Sequence, residues 1–225
     1  MKFKTISTGS SGNMFLIDDE VAIDCGLPYS KIKDVANTLK YVLLTHIHGD
    51  HFNKTTIRKL FINNRDIKFV CGAFLKEHFE KEMLWNVVFV EAGKAYKLKT
   101  GHIISPVIAY HDVDNFGYRI LKDGHKHFHI TDTNSLDGIS AKYYNTASIE
   151  CNHNLETALK IIEEAKEKGE FSHLKGAINS HLSVDKVVEF VRENEIETLY
   201  PVHIGSSTCN EVMKYLSNEN IKIGE

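Results

Sequence analysis

The sequence predicts an α/β fold of two packed mixed sheets with helices outside. Three observations carry this. Short apolar runs of strand length recur along the chain. Stretches with helical spacing of apolar residues separate them. Histidines and aspartates gather at the ends of the apolar runs, where α/β sheets build their sites.

The elements follow in order. Lys2–Ile6, Met14–Asp18 and Val21–Asp24 read as short strands, with a Gly/Ser turn at Thr8–Asn13. Ser30–Leu39 is a predicted helix and Tyr41–Leu44 a buried strand. Thr55–Phe61 begins a helix, Ile67–Cys71 is a strand, Phe74–Met83 a helix and Val87–Val90 a strand. Residues 94–99, 102–110, 116–121 and 126–131 are rich in β-formers and are parted by turns such as Lys122-Asp-Gly124. Leu155–Lys168 is an amphipathic helix with Leu155, Leu159, Ile162 and Ala165 on one stripe. Gly176–Asn179 reads as a strand. Val184, Val187, Val188 and Val191 keep the spacing of a core-facing helix. Leu199–Val202 is a strand, as is Ile221–Ile223 after a last short helix. No low-complexity linker or charge block interrupts the chain, so residues 1–225 are expected to form a single domain.

Composition narrows the function. At 42% hydrophobic and 25% charged, the chain has the makeup of an ordinary globular protein. A net charge of −3 argues against gripping duplex nucleic acid by bulk electrostatics. Cys25, Cys71, Cys151 and Cys209 are scattered without a C-x-x-C, and are expected to be free thiols in a reducing cytoplasm. The start of the chain has no apolar h-region, and no long apolar run follows, so no membrane is expected.

The chemistry concentrates at residues 46–51, His-Ile-His-Gly-Asp-His, directly after an apolar run. Four potential metal ligands in six residues fit neither a core nor an ordinary surface loop. Further candidates also follow apolar runs: Asp24, His111, Asp132, His181 and His203. Strand parity puts Asp132 on the face of Phe128 and Ile130, and predicts a solvated face for His125, His127 and His129. The donors are hard or borderline, which suits zinc or manganese.

Here the chain resembles the metallo-β-lactamase superfamily, an αββα sandwich. His46-Ile-His48-Gly-Asp50-His51 is similar to its H-x-H-x-D-H motif. Asp24, His111, Asp132 and His203 follow in the family's usual order. The resemblance implies two divalent metal ions, zinc or manganese. One would take His46, His48 and His111, and the other Asp50, His51 and His203. Asp132 would bridge them, and Asp24 would orient a ligand imidazole. Asp50 and His181 are the residues expected to act in catalysis.

The surroundings of the third and last histidines resemble the phosphodiesterase and nuclease branch. Ser180-His181-Leu-Ser183 and Pro201-Val202-His203 look like the paired late motifs of RNase J-like enzymes. Glu150-Cys-Asn152-His153 and the turn Thr8–Asn13 resemble segments of YycJ-like (WalJ-like) exonucleases. That likeness implies a DNA exonuclease, with Ser10, Asn152, His153 and Ser206 as candidate substrate contacts. Between Asp132 and His181 there is no room for a β-CASP insertion, which leaves a small open site. The alternative is a phosphodiesterase of cyclic nucleotides or other small cyclic phosphates, such as phage enzymes that destroy defence signals. A thioesterase or lactonase is disfavoured because no T-P-G-H-T-like stretch surrounds His111. A non-catalytic binding module is disfavoured because every ligand position is filled. Expected partners are a nucleic-acid end or small nucleotide, with a homodimer as a candidate assembly.

Other residues have plainer expectations. His78, His102 and His173 read as surface histidines, and Trp85 as core. Lys59, Arg65, Lys68 and Lys76 read as a solvated face. Ser183 is a candidate helix N-cap.

Overall fold

The computed structural model describes residues 1–224. Its strands belong to two mixed sheets accompanied by helices, the expected α/β class. The chain divides into two compact units, Met1–Ile108 with Val113–Gly124, and Ala109–Asp112 with the residues from His125 onward.

In the first unit, β1 (Phe3–Ser7), β2 (Met14–Ile17), β3 (Val21–Ile23), β4 (Tyr41–Leu43), β5 (Lys68–Cys71) and β6 (Val87–Phe89) form a sheet in that order. The first two pairings are antiparallel and the other three parallel. Helices α1 (Tyr29–Ala36) and α2 (Lys54–Asn63) follow β3 and β4. Leu16, Val42, Leu44, Ile57, Leu60 and Phe69 join one buried cluster between sheet and helices. Asn53 caps α2 by accepting from the Thr56 N–H at 3.1 Å. Strands β7 (Tyr96–Lys97), β8 (Ile103–Ala109) and β9 (Asn115–Lys122) lie side by side.

In the second unit, β10 (His125–Ile130), β11 (Thr146–Glu150) and β12 (Thr198–Val202) run parallel. Helices α3 (Leu155–Glu167), α4 (Leu174–Ser180), α5 (Val184–Glu193) and α6 (Cys209–Asn218) complete it. The predicted stripe Val184, Val187, Val188 and Val191 is buried.

Several expectations are corrected. Phe74–Met83 is not one helix but two 3-10 turns, Ala73–His78 and Lys81–Asn86. Trp85 lies on the second turn and is 89% exposed rather than core. Gly176–Asn179 falls within helix α4, because so short an apolar run carries no period of its own. Ile221–Ile223 is reduced to a single bridge between Ile223 and Leu199.

The predicted solvated face of β10 is also overturned. His127 and His129 are fully buried. His125 Nε2 and His127 Nδ1 both meet Thr146 Oγ1, at 3.2 and 2.8 Å. His127 Nε2 and His129 Nδ1 both meet Ser148 Oγ, at 2.9 and 2.7 Å. A parallel strand covered on both faces needs no solvent side. Here hydroxyls of β11 meet His125 Nε2, both nitrogens of His127 and His129 Nδ1.

His102 is buried too, with Nε2 3.1 Å from Asp18 Oδ2 and Nδ1 2.8 Å from Thr100 Oγ1. Of the basic residues, Lys59 sits over the Tyr29 ring and Arg65 over Phe61, while Lys68 donates to the Trp85 carbonyl. Ser183 stands at the N-cap of α5 without a side-chain capping bond.

Candidate metal centre

The first unit contributes the loop after β4. Asp24 follows β3 with a φ of 60°, in the left-handed region that costs a non-glycine residue about 1–2 kcal/mol. The kink buries its carboxylate under the loop. Asp24 Oδ1 accepts from the Thr45 N–H and hydroxyl, each at 2.9 Å. Asp24 Oδ2 meets His51 Nδ1 at 2.6 Å. That contact makes Nδ1 the protonated nitrogen and leaves the lone pair on Nε2. The resemblance implied that Asp24 orients a ligand imidazole; the structure places its carboxylate against His51 Nδ1.

The neighbouring rings are close. His46 Nδ1 is held by Thr45 Oγ1 at 2.9 Å, and His46 Nε2 is 3.2 Å from His48 Nδ1. His46 and His51 have ring centroids 4.3 Å apart. His51 Nε2 lies 3.4 Å from Asp50 Oδ2. Backbone bonds weld this loop to the strand before it: Cys25 N to His51 O at 2.9 Å and Asn53 N to Cys25 O at 2.9 Å. Ser10 is exposed on the turn between β1 and β2.

The second unit contributes strand ends. Asp132, after β10, and His203, after β12, have φ of 51° and 50°. Both again turn a side chain off the strand line by occupying the left-handed region, a kind of strain that clusters at functional sites. Glu150 ends β11 and is fully buried. Its Oε1 is 2.5 Å from His181 Nδ1 and 3.0 Å from His203 Nδ1. Its Oε2 accepts from the Thr133 N–H at 3.2 Å. Asp132 Oδ1 is 3.5 Å from both His181 Nδ1 and His203 Nδ1. His111 has its ring centroid 5.7 Å from that of His181, and its Nε2 is 3.1 Å from Asp112 Oδ1.

Burial opposes charge on Glu150 and on His181, yet their mutual contact wins. Burial pushes the Glu150 carboxyl up, and bonds from His181 and His203 bring it below its usual range. Burial pushes His181 down, and the bond and charge of Glu150, with Asp132, raise it above its usual value. The pair thus favours an imidazolium on a carboxylate.

Asn152 and His153 serve the backbone. The Asn152 carbonyl accepts from Gly205 N and Thr208 Oγ1, each at 2.9 Å. His153 O accepts from Val184 N at 2.8 Å, and the residue is buried. Ser206 is exposed in the loop after β12. Among the described residues, three cysteines are buried and Cys209 is exposed, all four as free thiols.

Sequence reasoning missed Glu150 as a member of this cluster and Asn13 and Thr45 as partners of the loop. Glu150 carried the same signal as the others, an acidic residue closing a strand. The strand was missed although Thr146-Ala-Ser-Ile carries a strand's alternation, because so short a stretch follows a long polar segment.

The model of the β-lactamase superfamily domain matches residues 23–204, well over half of the chain. The chain belongs to the β-lactamase superfamily. No curated protein matches its sequence. Among solved structures, the metallo-β-lactamase fold protein YhfI from Bacillus subtilis aligns with a TM-score of 0.76 at 14% identity, covering 99% of this chain and 94% of that one. The short form of human tRNase Z aligns at 0.69 with 14% identity, covering 100% and 96%. A diphosphatase of the PhnP family aligns at 0.66 with 16% identity, covering 99% and 94%. These likenesses establish the metallo-β-lactamase fold.

The donors suit the metals of such a superfamily member. Ligand atoms of Asp132, Glu150, His181 and His203 all lie within 4.8 Å of one another. Imidazole nitrogens and carboxylate oxygens are the set that zinc and manganese accept. No helix among the described residues is long and apolar enough to cross a membrane.

Proposed function

We propose that the protein is a dinuclear metal-dependent phosphodiesterase, working as one hydrolase domain. His46, His48 and His111 would hold one ion, and Asp50, His51 and His203 the other, with Asp132 shared. The observation that carries this reading is the Glu150 carboxylate, whose one oxygen holds both His181 and His203. A buried carboxylate behind an imidazole makes a proton donor of it. Alkoxide leaving groups need such a donor. Thiolates do not, which argues against thioester chemistry.

Bound ions would supply a nucleophilic hydroxide near neutral pH and neutralise charge on the phosphate oxygens. The chain supplies the rest. Asp24 fixes the His51 tautomer. Asp50 and Asp132 provide anionic ligands. His181 gives its proton to the leaving oxygen, and Glu150 aims it.

The finer reading is a YycJ-like DNA exonuclease of the cytoplasm that uses zinc or manganese. The Glu150–Asn154 segment and the Thr8–Asn13 turn support it, while the structural neighbours named as a tRNase and a diphosphatase support only the coarser reading of hydrolysis at phosphorus. Ser10 and Ser206, both exposed, are proposed substrate contacts, as are the buried Asn152 and His153. The test is turnover of end-labelled DNA beside a panel of cyclic nucleotides, with manganese and with zinc. Cleavage of cyclic nucleotides with DNA untouched would replace the exonuclease by the small-substrate alternative. Turnover of thioesters or lactones alone would end the phosphodiesterase reading.

A further inference from the structure

Asn13 closes the turn after β1 and is fully buried. Its main chain is tied on both sides. Its N–H donates to the Asp50 carbonyl at 2.7 Å, and its own carbonyl accepts from the Gly26 N–H at 3.0 Å. Its carboxamide is more telling. Oδ1 accepts from the Gly9 N–H at 2.8 Å, and that bond fixes which atom is oxygen. Nδ2 then faces the acceptors Gly9 O at 3.2 Å, Asp50 Oδ2 at 3.2 Å and His51 Nε2 at 2.9 Å. Because His51 Nδ1 is committed to Asp24, Nε2 receives this donor.

We infer that Asn13 is a positioning residue for the Asp50–His51 ligand pair, an inference that rests on the proposed metal centre. His51 Nε2 has a single in-plane lone pair, so it serves either the amide or a cation. Asp50 Oδ2 has two and can keep the amide while binding a cation. The carboxamide thus holds the carboxylate in place throughout and releases the imidazole when a cation takes it. It also ties the Gly9–Gly12 turn, exposed at Ser10 and Ser11, to the metal loop.

The test is calorimetric titration of manganese and of zinc into chelator-stripped wild type and Asn13→Ala, with unfolding in chelator as the check on folding. The expected result is two equivalents in wild type, and one of them bound about tenfold to a hundredfold more weakly in the variant, the range seen when a partner of a metal ligand is removed. A folded Asn13→Ala that binds both equivalents as wild type does, or more tightly, overturns the inference. Should Asn13→Ala fail to fold, Asn13→Leu keeps the side-chain volume and removes the donor without adding a ligand. The same weakening is expected of it, and unchanged or tighter binding again overturns the role. Wild type that binds no metal would instead sink the proposed centre.

Discussion

A methyl group on Gly26 would sit 1.7 Å from the Asp50 carbonyl oxygen and 2.9 Å from Asn13 N. Backbone on both sides leaves no room to yield, so glycine is required by close approach. Gly26→Ala should cost about 3 kcal/mol or more, at the upper end of overpacking penalties. Urea unfolding measures this, and a loss under 1 kcal/mol would mean that the loop shifts freely. Chemistry at the same scale is probed at His181. With an alkyl leaving group, His181→Ala should lower kcat about 100-fold to 10,000-fold, the usual span for a lost general acid. With a p-nitrophenyl leaving group the loss should nearly vanish, since nitrophenolate departs without a proton. Glu150→Gln should follow the same pattern more weakly. Equal losses on both substrates would assign His181 to metal binding instead of proton transfer.

The imidazole ladder on β10 and β11 is a property of the two strands together. His127 meets a hydroxyl at each ring nitrogen and is fully buried. Burial, with His129 and His125 nearby, pushes its pKa well below 6.5. A folded pKa below the unfolded value of about 6.5 means that only the unfolded chain gains a proton as pH first falls. Stability from His127 is therefore complete above about pH 6.5 and declines below it, by up to about 1.4 kcal/mol per pH unit. His102 and His153 shift in the same direction. Urea unfolding at pH 7.5 and 5.5 should show a smaller acid loss for His127→Gln than for wild type. An unchanged difference would show that His127 titrates normally. These strands also show where the sequence was opaque. Tyr41–Leu44 and the His loop were legible because an apolar run and a ligand string adjoin. β11 was passed over, and its alternation would in any case have suggested a solvated face where Thr146 and Ser148 meet histidines. The site was legible wherever a ligand type closed an apolar run, and Glu150 was lost with its strand.

Over the whole molecule, 27 basic residues face 30 acidic ones. No surplus of positive charge exists to pull in a long polyanion, so the proposed exonuclease is expected to hold DNA by few phosphate contacts at the cut end. Two phosphates neutralised on duplex DNA give a slope of about −2 for log affinity against log salt. Titrating a labelled duplex into the metal-loaded protein, with cleavage blocked by a phosphorothioate end, should give a slope no steeper than that. Lengthening the duplex beyond the end-bound stretch should leave affinity nearly unchanged. Metal occupancy adds a linked expectation, because ligands that bind only the folded chain stabilise it. Free metal at 100 times its Kd should raise unfolding stability by about 2.7 kcal/mol per site. A chelator should remove that gain, and Asp132→Ala should abolish most of it. A slope near −6 together with affinity that grows with length would point to an extended nucleic-acid track. That outcome would require a local basic surface strong enough to overcome a net charge of −3.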